Sequence, residues 1–357
     1  MEGTKRKFTR ALMDWHRNEN FRVLPWKQEK DPYRIWLSEI ILQQTRAEQG
    51  LPYYLRFIEA YPDISSLAQA PEEDVFRLWQ GLGYYNRCRN LMQTAREVAG
   101  RYKSQFPNTY EGLLTLKGIG PYTASAIASF AFGRPHAVVD GNVNRVLSRY
   151  FGIETAFDTA AGKNGIQTLA TELLDREDSA GYNQAIMDHG ATICTPASPK
   201  CEYCPLQEDC FAFTKNMVQD LPVKTRKTPV RTRYYNYLLL TDKDRLWIRK
   251  RTEKDIWQNL YEPKLIETKS PIEEDEVEGL IRESGIRYEG LVRDQGSFRQ
   301  KLTHQIIESR FFSLQVCADE MGVDDGLWVA FSELERYAFP KTLVSFLEKK
   351  ILLLETE

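Results

Sequence analysis

Four of the six cysteines fall within seventeen residues, as Cys194, Cys201, Cys204 and Cys210, with the spacing C-x6-C-x2-C-x5-C. Thiolates this close in sequence can wrap one tetrahedral zinc ion or one iron–sulfur cluster. Zinc ribbons bring two well-separated C-x2-C pairs, and only one such pair exists here. Cys88 and Cys317 stand apart and read as ordinary buried thiols. A second chemical feature is Leu116-Lys117-Gly118-Ile119-Gly120-Pro121-Tyr122-Thr123-Ala124. Gly118 and Gly120 permit a tight turn at positive φ, and Pro121 suits the first position of a helix. Backbone N–H groups then converge at the helix N-terminus, where a phosphate could sit. A tight turn between two helices, with no ligand, is the plainer alternative.

The elements that must position these residues change character along the chain. Its 357 residues, 42% hydrophobic and 27% charged, fit a globular protein of two or three domains. No run of about 18 apolar residues indicates a membrane span. The basic opening, with Lys5-Arg6-Lys7, lacks the apolar core of a secretory signal. Clustered rather than paired cysteines imply a reducing compartment, the cytoplasm. A net charge of -2 neither announces nor excludes a nucleic-acid partner, because phosphates respond to local patches.

The first 220 residues read as successive helices. Asp31-Pro32 is a cap followed by an N1 proline, and Tyr33, Trp36, Leu37, Ile40 and Ile41 follow at helical spacing. Pro71-Glu72-Glu73-Asp74 opens another helix, and two short helices, Tyr110 to Leu116 and Pro121 to Phe132, flank the glycine turn. Leu221 to Thr232 has two prolines and no apolar period, and Val223 to Arg233 holds five cations and no acid, so this is an extended basic linker. Beyond it Tyr234 to Leu240, Leu246 to Arg249 and Ile306 to Leu314 have strand composition, with a helix at Glu273 to Glu283.

The 6-2-5 cysteine spacing matches the [4Fe–4S] loop of endonuclease III-type proteins. Together with the glycine turn, it resembles the helix-hairpin-helix DNA glycosylase superfamily over nearly all of residues 8–215. The bifunctional members carry a lysine nucleophile where this chain has Tyr122, and tyrosine cannot form a Schiff base. The resemblance therefore narrows to the monofunctional MutY family. Leu24-Pro25-Trp26, Ser38-Glu39-Ile40-Ile41-Leu42-Gln43-Gln44-Thr45, Gly81-Leu82-Gly83-Tyr84-Tyr85 and Val139-Asp140-Gly141-Asn142 agree with it.

That resemblance implies removal of adenine mispaired with 8-oxoguanine in double-stranded DNA, after base flipping. It implies Glu39 as the acid that protonates adenine. Glu39 would lie partly buried on a polar stripe with Gln43 and Arg46. Asp140, otherwise a helix N-cap, would stabilise the sugar cation through a transient acetal, held in place by Tyr122 and Asn142. Gln44, Thr45, Leu82 and Tyr84 match positions that contact or wedge beside 8-oxoguanine. Gly118 and Gly120 would hold DNA phosphate, and Cys194, Cys201, Cys204 and Cys210 the cluster. Trp26, Lys27 and Asp188 match the adenine pocket, where many relatives carry Arg for Lys27 and Glu for Asp188.

Ile256-Trp257-Gln258-Asn259-Leu260-Tyr261-Glu262-Pro263 resembles a segment of the Nudix-like (MutT-like) domains of that family. A Nudix hydrolase would need metal-binding acids where this chain has Gly279, Arg282 and Glu283; only Glu283 is an acid, so its magnesium site is not assembled. Leu302-Thr303-His304 stands where the family reads 8-oxoguanine through Phe-Ser-His; the hydroxyl and imidazole are kept and the aromatic is lost. The expected fold is a mainly α helix-hairpin-helix glycosylase domain with an iron–sulfur cluster loop (1–221). A basic linker (222–233) then leads to a C-terminal α+β Nudix-like domain (234–357). A monomer, associated with the nucleoid, is expected.

Overall fold

The structure, a computed structural model, describes residues 2–225, 230–272, 274–302, 304–320 and 325–354. Thr303, Glu273 and the middle of the expected linker, 226–229, lie outside the described residues. Packing divides the chain into two units, Met1–Gln69 with Asn90–Arg226, and Ala70–Arg89 with Lys227–Glu357. Among the described residues no helix is long and apolar enough to cross a membrane.

The first unit is helical. Helix Glu2–Asn18 buries Phe8, Leu12, Met13 and Trp15 against Val143, Val146, Leu147 and Tyr150 of helix Gly141–Phe151. Helices Ala160–Leu173 and Ser179–Thr192 complete that core through Ile166, Ala170, Tyr182 and Ile186. In a second group of helices, Pro32–Leu42 packs on Ala47–Ala60 and on Pro121–Phe130. Asp31 caps Pro32–Leu42 by accepting the Tyr33 N–H at 2.9 Å. The short helix Tyr110–Leu114 precedes the glycine turn.

The second unit is built on a mixed sheet of β1 (Arg231–Asp242), β2 (Arg245–Lys250), β3 (Tyr261–Glu262), β4 (Lys264–Thr268), β5 (Glu289–Lys301), β6 (Gln305–Gln315) and β7 (Gly326–Ala330). The strand order is β3-β2-β1-β6-β5, with β4 also on β1 and β7 on β2. β1 and β6 pair in parallel along their length, with Tyr237 beside Phe311 and Leu238 beside Phe312. Alternation then sends these two pairs to opposite faces. On one face Leu238, Leu240, Phe312 and Leu314 meet Val277 and Ile281 of helix Glu274–Glu283. On the other, Phe346 of helix Lys341–Leu354 stacks on Phe311 at 3.9 Å between ring centroids, and Phe311 stacks on Tyr237 at 5.3 Å. All three expected strands form, each a few residues longer than its apolar run, because backbone pairing continues past the last buried side chain.

The sequence boundaries differ from the packing division in one segment. Residues 70–89 fall within the expected N-terminal domain, yet helix Glu72–Trp79 is hydrogen-bonded to the C-terminal sheet by Asn259 and Tyr261. Phe346→Ala should therefore cost the second unit about 3–5 kcal/mol, the usual range for emptying a buried aromatic site. Amide hydrogen exchange should accelerate in β1 and β6 and stay unchanged in helix Pro32–Leu42. Equal acceleration in both would show that the two cores are not separate.

Candidate active site

Helix Pro32–Leu42 is enclosed almost all round, with Ile35, Trp36, Leu37, Ser38, Ile40 and Ile41 buried. Glu39 is therefore carried inward on an apolar helix and is only 7% exposed. Burial pushes its carboxyl up to about 7, and the neighbouring Asp140 charge adds to this. A hydrogen bond from Tyr122, at the start of helix Pro121–Phe130, opposes the rise. The expected stripe of Glu39, Gln43 and Arg46 does not form, because the helix stops at Leu42 and Gln44 turns the chain at φ 57°. Arg46 instead caps the next helix. Gln43 donates to Thr123 Oγ1 at 3.3 Å, and Gln44 is left exposed beside half-buried Thr45.

Asp140 is the N-cap of helix Gly141–Phe151. Its Oδ1 accepts the Val143 N–H at 2.8 Å, and its Oδ2 accepts Asn142 Nδ2 at 2.7 Å. Burial raises its pKa, but those N–H donors and the Arg145 charge act against the rise. Glu39 has only Tyr122 acting that way. Of two buried, interacting carboxyls, the one with the poorer donor set holds its proton to higher pH. The Tyr122 hydroxyl hydrogen-bonds Glu39, since its helix packs on the helix that carries Glu39, and it also feels the Asp140 charge.

Arg145 extends this arrangement. It donates to Asn142 Oδ1 at 2.9 Å, to the Gly190 carbonyl at 2.7 Å and to the Cys194 carbonyl at 2.7 Å. Arg149, one turn on, donates to the Thr195 and Pro196 carbonyls at 2.8 and 3.0 Å and approaches Cys194 Sγ at 3.4 Å. The two helices approach closely because position 190 is glycine; a Cβ there would lie 2.6 Å from that of Asn142. Sequence reading missed both arginines. Their signal was two cations at i, i+4 on the face that also carries Val146.

The four clustered thiols line one pocket with Arg149, Lys200 and Gln207. Among the described residues no three His, Cys, Asp or Glu side chains are drawn together as a formed metal site. In the turn before helix Pro121–Phe130, Gly118 has φ 75° and its missing Cβ would stand 2.8 Å from Asn90 Cβ. Gly120 does not share that conformation. It is extended at φ -92°, ψ -179°, as a residue before proline must be.

Lys27 and Asp188 come together as an ion pair at 2.6 Å rather than as two free contacts for a base. Asp188 is wholly buried, and Arg22 at 3.0 Å and Asn20 at 2.9 Å occupy its oxygens as well. The short Asp side chain sits beneath those partners, so contact with a base would pass through Arg22 or Lys27. Trp26 packs edge-on to Tyr54, with ring centroids 5.3 Å apart. In the second unit, Leu82 is 5% exposed and serves the core, whereas Tyr84 is 44% exposed at φ 50°. His304 is exposed at the β5–β6 turn, and its carbonyl accepts the Arg231 N–H at 3.1 Å.

The HhH-GPD superfamily of base excision DNA repair proteins matches residues 37–169, and the NUDIX domain family matches residues 236–349. An adenine DNA glycosylase of Buchnera aphidicola subsp. Schizaphis graminum is 35% identical over 254 residues, 71% of this chain and 73% of that protein. The adenine DNA glycosylase of Rattus norvegicus is 41% identical over 217 residues, 58% of this chain and 42% of that one. The solved structure of a thermostable thymine-DNA glycosylase superposes with a TM-score of 0.56 at 29% identity, covering 60% of this chain and 98% of its own. With the matched helical fold, these likenesses show that the chain belongs to the adenine DNA glycosylase (MutY) family.

Proposed function

We propose that this chain is a monofunctional DNA glycosylase that hydrolyses the N-glycosidic bond of adenine mispaired with 8-oxoguanine, or with guanine, in double-stranded DNA. The observation that carries the reading is the split between two adjacent buried carboxyls, one at about 7 and one well supplied with donors. Adenine leaves poorly unless protonated, and the sugar left behind is cationic. Glu39 gives its proton to a ring nitrogen of the flipped adenine, and the C–N bonding pair departs with the base. The charge developing on the sugar is met by the Asp140 carboxylate, held by Val143 and Asn142. Water adds to the sugar carbon and returns a proton to Glu39, closing the cycle. Tyr122 offers no amine for a Schiff base, so strand scission is not part of the reaction.

In the second unit, exposed Tyr84 is suited to fill the gap left by the flipped base. On the turn after the Glu39 helix, exposed Gln44 and half-buried Thr45 are candidates to touch the opposite base. Gly118 and Gly120 are exposed in the turn before the helix, where a phosphate could sit. His304 reads the altered base from the second unit, whose Nudix-like sheet keeps its scaffold without the hydrolase acids. Cys194, Cys201, Cys204 and Cys210 would hold a [4Fe–4S] cluster; their lining of one pocket and their 6-2-5 spacing support this reading. When bound, the cluster supplies four iron–thiolate bonds that fix the loop onto which Arg145 and Arg149 are tied.

On duplexes with adenine opposite 8-oxoguanine, the protein should release adenine and leave a site that breaks only after alkali. Glu39→Gln should lower the single-turnover rate by about 10²–10⁴-fold with binding retained. Scission without alkali, or near-normal rates for the variant, would remove the reading. Anaerobically purified protein should carry iron in the ratio of about four per chain. A colourless and fully active preparation with stoichiometric zinc would contradict the cluster.

A further inference from the structure

The segment 70–89 carries Tyr84, and it is fastened to the C-terminal sheet at both ends. Near its start, Glu72 Oε1 accepts Asn259 Nδ2 at 2.7 Å. Glu73 Oε1 accepts the Tyr261 hydroxyl at 3.1 Å and faces Lys250 Nζ at 3.5 Å. On either side of the Gly81–Tyr84 loop, Gln80 Oε1 accepts the Phe339 N–H at 3.1 Å, and Arg89 Nη1 donates to the Gln258 carbonyl at 3.1 Å. The loop is also braced within itself. Trp79 Nε1 donates to the Gly83 carbonyl at 2.9 Å, and the Gly81 N–H donates to the Tyr85 hydroxyl at 3.2 Å. The Arg87 guanidinium lies over the rings of both Trp79 and Tyr84, at 5.4 and 5.0 Å. A tyrosine at positive φ is strained, and such a residue persists only where its surroundings fix it.

The face that receives this segment is itself rigid. Lys250, Gln258, Asn259 and Tyr261 flank Glu262, which is fully buried and paired with Arg251 and, at 3.2 Å, with Arg249. Trp257 and Asn259 both hold left-handed backbone there, so the loop between β2 and β3 is tightly wound. From β2 the sheet runs through β1 to β6, and β1 holds the His304 carbonyl through the Arg231 N–H. One continuous, hydrogen-bonded path joins the Tyr84 loop to the His304 turn. Every element of that path lies in the second unit.

We propose that Glu72, Glu73, Gln80 and Arg89 are positioning residues that lock the Tyr84 loop to the C-terminal sheet, so that wedge and base reader act as one body. The inference rests on the reading above, in which Tyr84 enters the duplex and His304 contacts the opposite base. Two separately mobile elements would each lose freedom on binding DNA; elements joined in advance lose it once. Recognition of 8-oxoguanine by His304 then strengthens insertion of Tyr84. With guanine opposite, His304 lacks the altered groups to grip and has little to transmit.

The test uses the full chain carrying Asn259→Gly and Tyr261→Phe. Glycine keeps the φ of 72° at 259, and phenylalanine keeps the ring that packs on Tyr337, so the changes remove the two donors and spare the fold. Single-turnover rates are measured on duplexes with adenine opposite 8-oxoguanine and opposite guanine, at one fixed salt concentration. A 2-aminopurine beside the 8-oxoguanine reports unstacking. The expected result is an 8-oxoguanine-over-guanine rate ratio lowered by about 2- to 10-fold, as for one or two lost hydrogen bonds. The fluorescence rise should shrink with it, while melting temperature and the guanine rate stay near wild type. Adding Tyr84→Ala should then do less than it does alone, and Glu73→Gln, which still accepts from Tyr261, should keep the ratio. An unchanged ratio, an equal fall on both duplexes, or an undiminished effect of Tyr84→Ala overturns the lock. If Tyr84→Ala alone leaves rates and fluorescence at wild-type levels, the wedge assignment fails and takes the lock with it.

Discussion

Everything in the proposed reaction depends on how Asp140 satisfies its two oxygens. One takes the Val143 N–H and so starts a helix; the other takes the Asn142 amide. Without these donors, two carboxyls buried side by side would compete for the proton, and neither role would be secured. With them, the rise that burial causes at Asp140 is opposed more fully than the rise at Glu39, so Glu39 is the better placed to keep its proton. The cap is also the point where stability and chemistry share atoms. Arg145 fixes Asn142 from the far side and ties it to the Gly190 and Cys194 carbonyls, so the cysteine loop is part of what orients the carboxylate.

Features that arise within one turn of chain were legible in the sequence. Asp31-Pro32 caps its helix, Gly118 takes its left-handed turn, and the β1 and β6 runs become strands because their patterns are local. The burial of Glu39 was also foreseeable from its apolar neighbours, though the sequence predicts a partly exposed stripe and the structure gives near-complete enclosure. What failed depends on partners distant in sequence. Arg145 and Arg149 look like surface cations until loop carbonyls 45 to 47 residues away are brought to them. Asp188 looks like a free pocket acid until Arg22 and Lys27 arrive from the other end of the unit. Leu82 and Tyr84 share one motif, but left-handed backbone at Gly83 and at Tyr84 itself separates them, the first buried and the second exposed.

The same limit applies to domain organisation. The linker composition marks where the helical region ends, and the strands beyond it follow. Nothing in residues 70–89 announces that their acids bond to Asn259 and Tyr261, because the contact spans more than 180 residues. The C-terminal sheet keeps a Nudix-like scaffold with a buried Arg251–Glu262 pair at its edge, and that edge now holds part of the glycosylase.

The division of labour between Glu39 and Asp140 is open to a single titration. Single-turnover adenine release is followed from pH 5 to 9 under saturating enzyme, for the wild-type protein and for Glu39→Gln. Because burial raises the Glu39 carboxyl to about 7, the donor form is present below that pH and is lost above it. The wild-type rate should fall about tenfold per unit above pH 7, and the variant should show no such limb. A wild-type rate that holds level or rises between pH 7 and 9 would show that Glu39 is not the proton donor, and the assignment of the two carboxyls would have to be abandoned.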